Sequence, residues 1–181
     1  MDYTTVEALR EFGPFDEEDN KTLNALIATA TRLIDGYTGR IFAVEDESKR
    51  TFRKDRRFEN PFEGPILYFD QDLAEAASLI TDSPTVTYVP ENIPPYFAMI
   101  LTEGTWALTV EVTGYWGYSR TPPEDIQFAC LRLSKWLYEL RDTTRADAVI
   151  TTAEGLMLVP QGLPVDVTAM LQPYRRVRFA R

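Results

Sequence analysis

Apolar residues recur along this chain at two different periods. From Leu23 through Leu26, Ile27, Ala30, Leu33 and Ile34 to Tyr37 they fall three and four residues apart, the spacing that lines one face of an α-helix. Asp16 is a good N-cap for that helix, and Glu17, Glu18 and Asp19 suit its amino end. Its end is predicted near Thr38, with Gly39 available as the left-handed cap. A shorter helix is predicted before it: Thr4 and Glu7 form a capping-box pattern, Val6 and Leu9 give an apolar side, and Gly13-Pro14 break the chain. A second long helix is predicted from Thr121-Pro122-Pro123-Glu124, with Thr at the N-cap, prolines where amide donors are dispensable and Glu at N3. Its stripe is Ile126, Ala129, Cys130, Leu133, Leu137 and Leu140, with Trp136 beside it, and it frays after Arg141.

Between the long helices the helical period disappears. Short strands are predicted at residues 50–58, 66–69, 76–81, 85–89, 96–102 and 107–112, separated by Asn60-Pro61, Glu63-Gly64-Pro65, Asp82-Ser83-Pro84, Asn92, Pro94-Pro95 and Glu103-Gly104. Thr109, Glu111 and Thr113 alternate with Leu108, Val110 and Val112, as in a half-buried antiparallel strand. After the second long helix, Gly155, Pro160, Gly162 and Pro164 interrupt short apolar segments, and residues 164–171 suit one or two helical turns before Pro173. Such a tail is ordered only if this protein or a partner covers it. The expected fold is α+β: a mainly helical core of two long antiparallel helices plus a short N-terminal helix, an inserted small antiparallel β-sheet, and an extended C-terminal tail. The expected divisions are 1–44 with 114–147 as helical core, 45–113 as the β subdomain and 148–181 as the tail.

Composition narrows the chemistry. Among 181 residues there is no histidine and one cysteine, which removes histidine-dependent triads, imidazole metal ligands, internal disulfides and thiolate zinc sites. Cys130 lies on the apolar stripe and reads as a small core residue. The net charge of −9, with a pI of about 4.6 and a mean hydropathy of −0.25, argues against a general nucleic-acid-binding surface. The acidic start (Asp2, Glu7, Glu11) has no apolar core and is not expected to be a secretory signal. The longest apolar run, residues 96–101, is too short to span a bilayer. A soluble protein folded in a reducing cytoplasm is expected, with no membrane partner.

Acidic pairs are the remaining catalytic raw material. Glu17-Glu18-Asp19 and Glu124-Asp125 sit at predicted helix starts, where the helix dipole explains them, and Glu45-Asp46-Glu47 sits in a loop. No P-loop, EF-hand or dinucleotide motif occurs, so no enzyme, cofactor or metal is expected. The strip Lys49, Arg50, Arg53, Lys54, Arg56 and Arg57 reads as a strand with charged edges, and as a contact for passing DNA only in the minority view. Trp116 in Val112-Thr113-Gly114-Tyr115-Trp116-Gly117-Tyr118 reads as core packed over the long helices. Tyr115 and Tyr118 stay open between core and interface and, with Arg53 and Arg57, are the candidates for an intersubunit or partner contact. The acidic front and the basic end (Arg175, Arg176, Arg178, Arg181) are complementary between copies, although solvated surface charge explains both.

Three stretches resemble the head–tail adaptor (connector, head completion) proteins of long-tailed bacteriophages and related gene transfer agents. They are Ala28-Thr29-Ala30-Thr31-Arg32-Leu33-Ile34-Asp35-Gly36-Tyr37-Thr38-Gly39-Arg40-Ile41-Phe42, residues 112–118 with Thr121-Pro122-Pro123-Glu124-Asp125-Ile126, and Leu171-Gln172-Pro173-Tyr174-Arg175-Arg176. The resemblance implies a virion neck protein made in the host cytoplasm. It also implies a homo-oligomeric ring, typically of twelve subunits, built from the helices beneath the portal protein and receiving a downstream head-completion or tail protein on its other face. DNA passes through such a ring without specific binding, and the −9 charge suits that passage. By the same resemblance the portal-docking tail covers residues 155–181, with Val165, Val167, Leu171, Tyr174 and Phe179 as apolar anchors and Arg175, Arg176 and Arg178 as charge complement. Two rivals remain from other classes: a phage-associated carboxylate-dependent hydrolase and an acidic monomeric protein-binding module.

Overall fold

A computed structural model describes residues 2–15, 20–54, 61–81, 87–145 and 162–176. The chain divides into two compact units, one of residues 40–122 and one of residues 2–39 with 123–181.

In the second unit, α1 (Val6–Phe12) starts at Thr5, whose hydroxyl accepts from the Ala8 amide at 3.2 Å. Thr5 rather than the expected Thr4 is therefore the cap. Helix α2 (Asn20–Thr38) buries Leu23, Ile27, Ala30 and Ile34, and Gly39, at φ +68°, ends it with its amide on the Asp35 carbonyl at 2.8 Å. The cap expected at Asp16 lies outside the described residues. Helix α3 (Glu124–Arg145) buries Ile126, Ala129, Cys130 and Leu133. It begins three residues later than Thr121, with the Pro123 carbonyl taking the Ile126 and Gln127 amides at 3.0 Å each. Glu124 thus stands in the first turn beside the positive end of the helix dipole. Helix α4 (Val165–Leu171) packs against α3 and runs into a 3-10 turn, Gln172–Tyr174.

The first unit corrects the expectation of a mainly helical protein with a small inserted sheet. Among the described residues the chain is sheet-rich, with a three-stranded antiparallel sheet in the order β1-β7-β4 and a four-stranded one in the order β2-β3-β6-β5. These strands are β1 (Ser48–Arg53), β2 (Phe62–Glu63), β3 (Ile66–Leu73), β4 (Glu75–Thr81), β5 (Thr87–Pro90), β6 (Tyr96–Glu103) and β7 (Thr109–Tyr115). The reason is pairing. Strand β3 continues through the polar run Asp70-Gln71-Asp72 to Leu73 because β6 lies alongside, pairing Ile66 with Ile100 and Leu73 with Tyr96. Side-chain pattern alone ended that strand at Phe69. The two sheets close on one core that includes Phe52, Leu67, Phe69, Leu73, Met99, Val110, Val112 and Trp116. Strand β7 alternates as expected, Val110 and Val112 inward, and pairs with β1 on one side and β4 on the other.

Charge is arranged to match this topology. From Phe58 to Ser119 the sequence contains no lysine or arginine, so the cations that pair with this block's carboxylates come from its flanks. Arg40 meets Asp72 at 2.7 Å, Lys49 meets Glu111 at 3.0 Å, Arg50 meets Asp70 at 2.7 Å and Arg120 meets Glu75 at 3.5 Å. Asp72 is buried, and its pairing offsets the cost of taking a carboxylate out of water.

Candidate functional site

The C-terminal part of the chain is folded onto the helical unit. Val167 and Leu171 are 1% and 0% exposed, and burying such side chains contributes roughly 1.5–3 kcal/mol each. They fasten α4 to its own unit and are not surface anchors in this conformation. In the first turn of α4, Asp166 Oδ2 accepts from the Arg132 Nε of α3 at 2.9 Å, and the Arg132 Nη2 reaches the same oxygen. Hydrogen bonding from Arg132 holds the Asp166 carboxyl below its ordinary 3.8. A carboxyl depressed in the folded state contributes stability above its unfolded value and loses it as the pH falls through the folded one. Arg132→Ala is therefore expected to speed amide exchange in α4 at neutral pH, with the difference from the parent narrowing as the pH drops below 3.8. Hydrogen exchange of Val167–Leu171 against α3 measures this.

Beyond α4 three separate parts of the sequence meet. The Arg176 amide donates to the Thr38 carbonyl at 2.7 Å, which satisfies an acceptor at the end of α2. The Tyr37 hydroxyl donates to Gln172 Oε1 at 3.1 Å across 135 residues, and the Arg175 guanidinium stands 5.8 Å from the Tyr37 ring centroid. The Tyr174 hydroxyl donates to Asp125 Oδ2 at 3.2 Å in the first turn of α3. A hollow lined by Gly36, Tyr37, Thr38, Gly39, Gln172, Arg175 and Arg176 opens here. Two cations beside the carboxyl end of α2 oppose its dipole favourably and leave a basic, partly aromatic surface. Of the residues expected to dock, Arg175 and Val165 are exposed, Tyr174 and Arg176 are half-buried, and Arg178 and Phe179 lie outside the described residues.

The other candidates belong to the sheet unit. Trp116 is buried between Phe52 and Phe69 in the sheet core, with ring centroids at 5.8 and 5.2 Å. The glycines beside it answer a steric demand. A Cβ on Gly114 would stand 2.9 Å from Leu73 Cδ1 and collide with the Glu75 carbonyl, and one on Gly117 would stand 2.9 Å from the Ile41 carbonyl oxygen. Tyr115 and Tyr118 are half-buried: the Arg120 guanidinium lies 3.9 Å over the first, while the second packs on Phe42 at 5.2 Å and under Arg40 at 5.3 Å. Arg53 is exposed on β1 and Arg57 lies outside the described residues. Within the basic strip Lys49 and Arg50 are engaged with carboxylates of their own unit, and Arg50 also covers Trp116 at 4.7 Å.

Burial pushes the Cys130 thiol up to about 11, and it rests 3.8 Å from Thr31 Oγ1, so it stays protonated and inert as core. Burial also raises the Asp35 carboxyl, opposed by the hydrogen bond it accepts from the Tyr3 hydroxyl. Among the described residues no group of three carboxylate or thiol side chains is placed to hold a metal ion, and no helix is long and apolar enough to cross a membrane. Sequence reasoning missed the Tyr174–Asp125, Tyr37–Gln172 and Arg176–Thr38 contacts, for which no local signal exists. No protein-family model and no curated protein matches the sequence.

Proposed function

We propose that this chain is a structural joining protein, a head–tail adaptor of a tailed bacteriophage. In this reading it forms a ring under the portal protein, connects the DNA-filled head to the tail or to the next completion protein, and carries no catalytic step. One observation supports the reading above others. The three stretches that resemble the adaptors are dispersed in sequence, yet Thr38 from the first, Asp125 from the second and Gln172–Arg176 from the third are bonded together in the helical unit. The burial of Val167 and Leu171 narrows the portal-facing set to Val165, Tyr174, Arg175 and Arg176, with Arg178 and Phe179 beyond them.

The test mixes the purified chain with its cognate portal ring and images the complex. The expected result is a ring of this protein seated on the portal, with Arg175→Glu and Arg176→Glu together weakening docking at least tenfold while helical content is unchanged. Failure of the unaltered protein to bind a portal would sink the joining role. Docking that ignores both substitutions would sink the assignment of the surface.

A further inference from the structure

The hollow at the carboxyl end of α2 is a local exception to the charge of this protein. Its lining contains Arg175 and Arg176 and no acidic side chain, in a chain whose net charge is −9. It has a volume of about 700 Å³, and a Cβ on Gly36 in its wall would meet nothing within 4 Å. The acceptors placed here are already engaged inside the protein. The Asp35 carbonyl takes the Gly39 amide at 2.8 Å, the Thr38 carbonyl takes the Arg176 amide at 2.7 Å and the Gln172 carbonyl takes the Arg175 amide at 3.2 Å. The Gln172 side-chain oxygen takes the Tyr37 hydroxyl at 3.1 Å. What remains for a ligand is a set of donors, the side-chain N–H groups of Gln172 and the guanidinium of Arg175, both on exposed residues, with the charge of Arg176 added.

A donor-rich hollow with two positive charges selects an oxyanion, and the planar fork of an arginine matches a carboxylate with two parallel bonds. Arg175 stands 5.8 Å from the Tyr37 ring centroid, and Tyr37 is itself held by Gln172, so the fork is positioned before a ligand arrives. We propose that this hollow binds the carboxylate side chains of a short acidic segment of a partner protein, Arg175 making the ion pair and Gln172 donating beside it. Nucleic acid fits less well: the −9 charge repels a polyanion at long range, and a concave hollow does not admit the convex face of a duplex. The proposal deepens the joining reading by naming the chemistry that its portal-facing surface recognises, and rests on that reading only for the partner being a portal. Its test contains no portal, so the two can fail separately.

The probe is an acetylated and amidated hexaglutamate peptide, titrated at physiological salt into the isotope-labelled full-length protein, with backbone amide shifts read by nuclear magnetic resonance. Saturable shifts of the Gly36, Gly39, Gln172 and Arg175 amides are expected, with affinity falling at least fivefold in Arg175→Gln. Tyr37→Phe keeps the ring but releases the Gln172 side-chain oxygen, which returns an acceptor to the hollow, so a loss of about threefold is expected. Unchanged resonances in the rest of the helical unit control for folding in both variants. Scattered or non-saturable shifts, or saturation indifferent to Arg175→Gln, overturn the proposal. Hexathymidylate saturating the same amides more tightly than hexaglutamate would assign the hollow to nucleic-acid phosphate and overturn the choice of a protein segment.

Discussion

Replacing Trp116 with alanine is expected to destabilise the sheet unit by about 3–5 kcal/mol, the usual cost of emptying a buried aromatic site. The side chain is 3% exposed. Its ring meets Phe69 edge-on, Phe52 at a tilt and the Arg50 guanidinium on a face, and its indole N–H donates to the Ser48 carbonyl at 2.9 Å. The truncation removes ring contacts from both sheets and leaves that carbonyl without this partner. Trp116→Phe keeps most of the ring packing and loses the hydrogen bond, so about 1–3 kcal/mol is expected for it. Urea unfolding followed by far-ultraviolet circular dichroism measures both. A loss below about 1 kcal/mol for the alanine variant, with partner binding abolished instead, would make Trp116 an interface anchor.

Asp72→Ala is expected to cost about 3 kcal/mol, because it removes the buried carboxylate that the half-buried Arg40 guanidinium faces. Asp72 is 4% exposed and receives Arg40 Nη1 at 2.7 Å, while Arg40 is also held against the Tyr118 ring. The same physics predicts recovery in the double variant: Arg40→Met with Asp72→Leu removes both charges, and most of the lost stability should return. Denaturant midpoints of the two single variants and the double variant give the coupling. Equal losses in Asp72→Ala and the double variant would refute the buried-pair account. Elevated salt should not rescue Asp72→Ala, since screening acts weakly on a buried site.

The helical half of the fold was legible because its signals are local. The three-and-four spacing of Leu23, Ile27, Ala30 and Ile34 survives in α2, and Gly39 takes the left-handed cap. The stripe of Ile126, Ala129, Cys130 and Leu133 is likewise buried in α3. Ends were less legible: Thr5 caps α1 in place of Thr4, and α3 starts at Glu124 because the Pro123 carbonyl, not Thr121, opens it. The sheets were underestimated because strand existence depends on a neighbour. Strand β2 is two residues long and exists by pairing Phe62 with Leu67 and Glu63 with Ile66. Ser48, four residues before Phe52, the apolar residue of β1, is a strand residue because Gly114 stands opposite.

The candidate surface divides in the same way. Of the residues expected at the docking end, Arg175 is exposed and Tyr174 and Arg176 are half-buried, whereas Val167 and Leu171 are buried in the helical unit. A two-turn apolar segment has the same composition whether it waits for a partner or lies in its own core. By itself the sequence determined the absence of histidine, the lone cysteine, the −9 charge and two amphipathic helices, since these depend on composition or on neighbours within a turn. Only the tertiary structure decided the strand pairing, the flank cations that serve the lysine- and arginine-free sheet block, and the joining of Thr38 to Arg176 and of Asp125 to Tyr174. Each of those is a contact between distant residues, fixed by which faces are buried together rather than by the residues on either side.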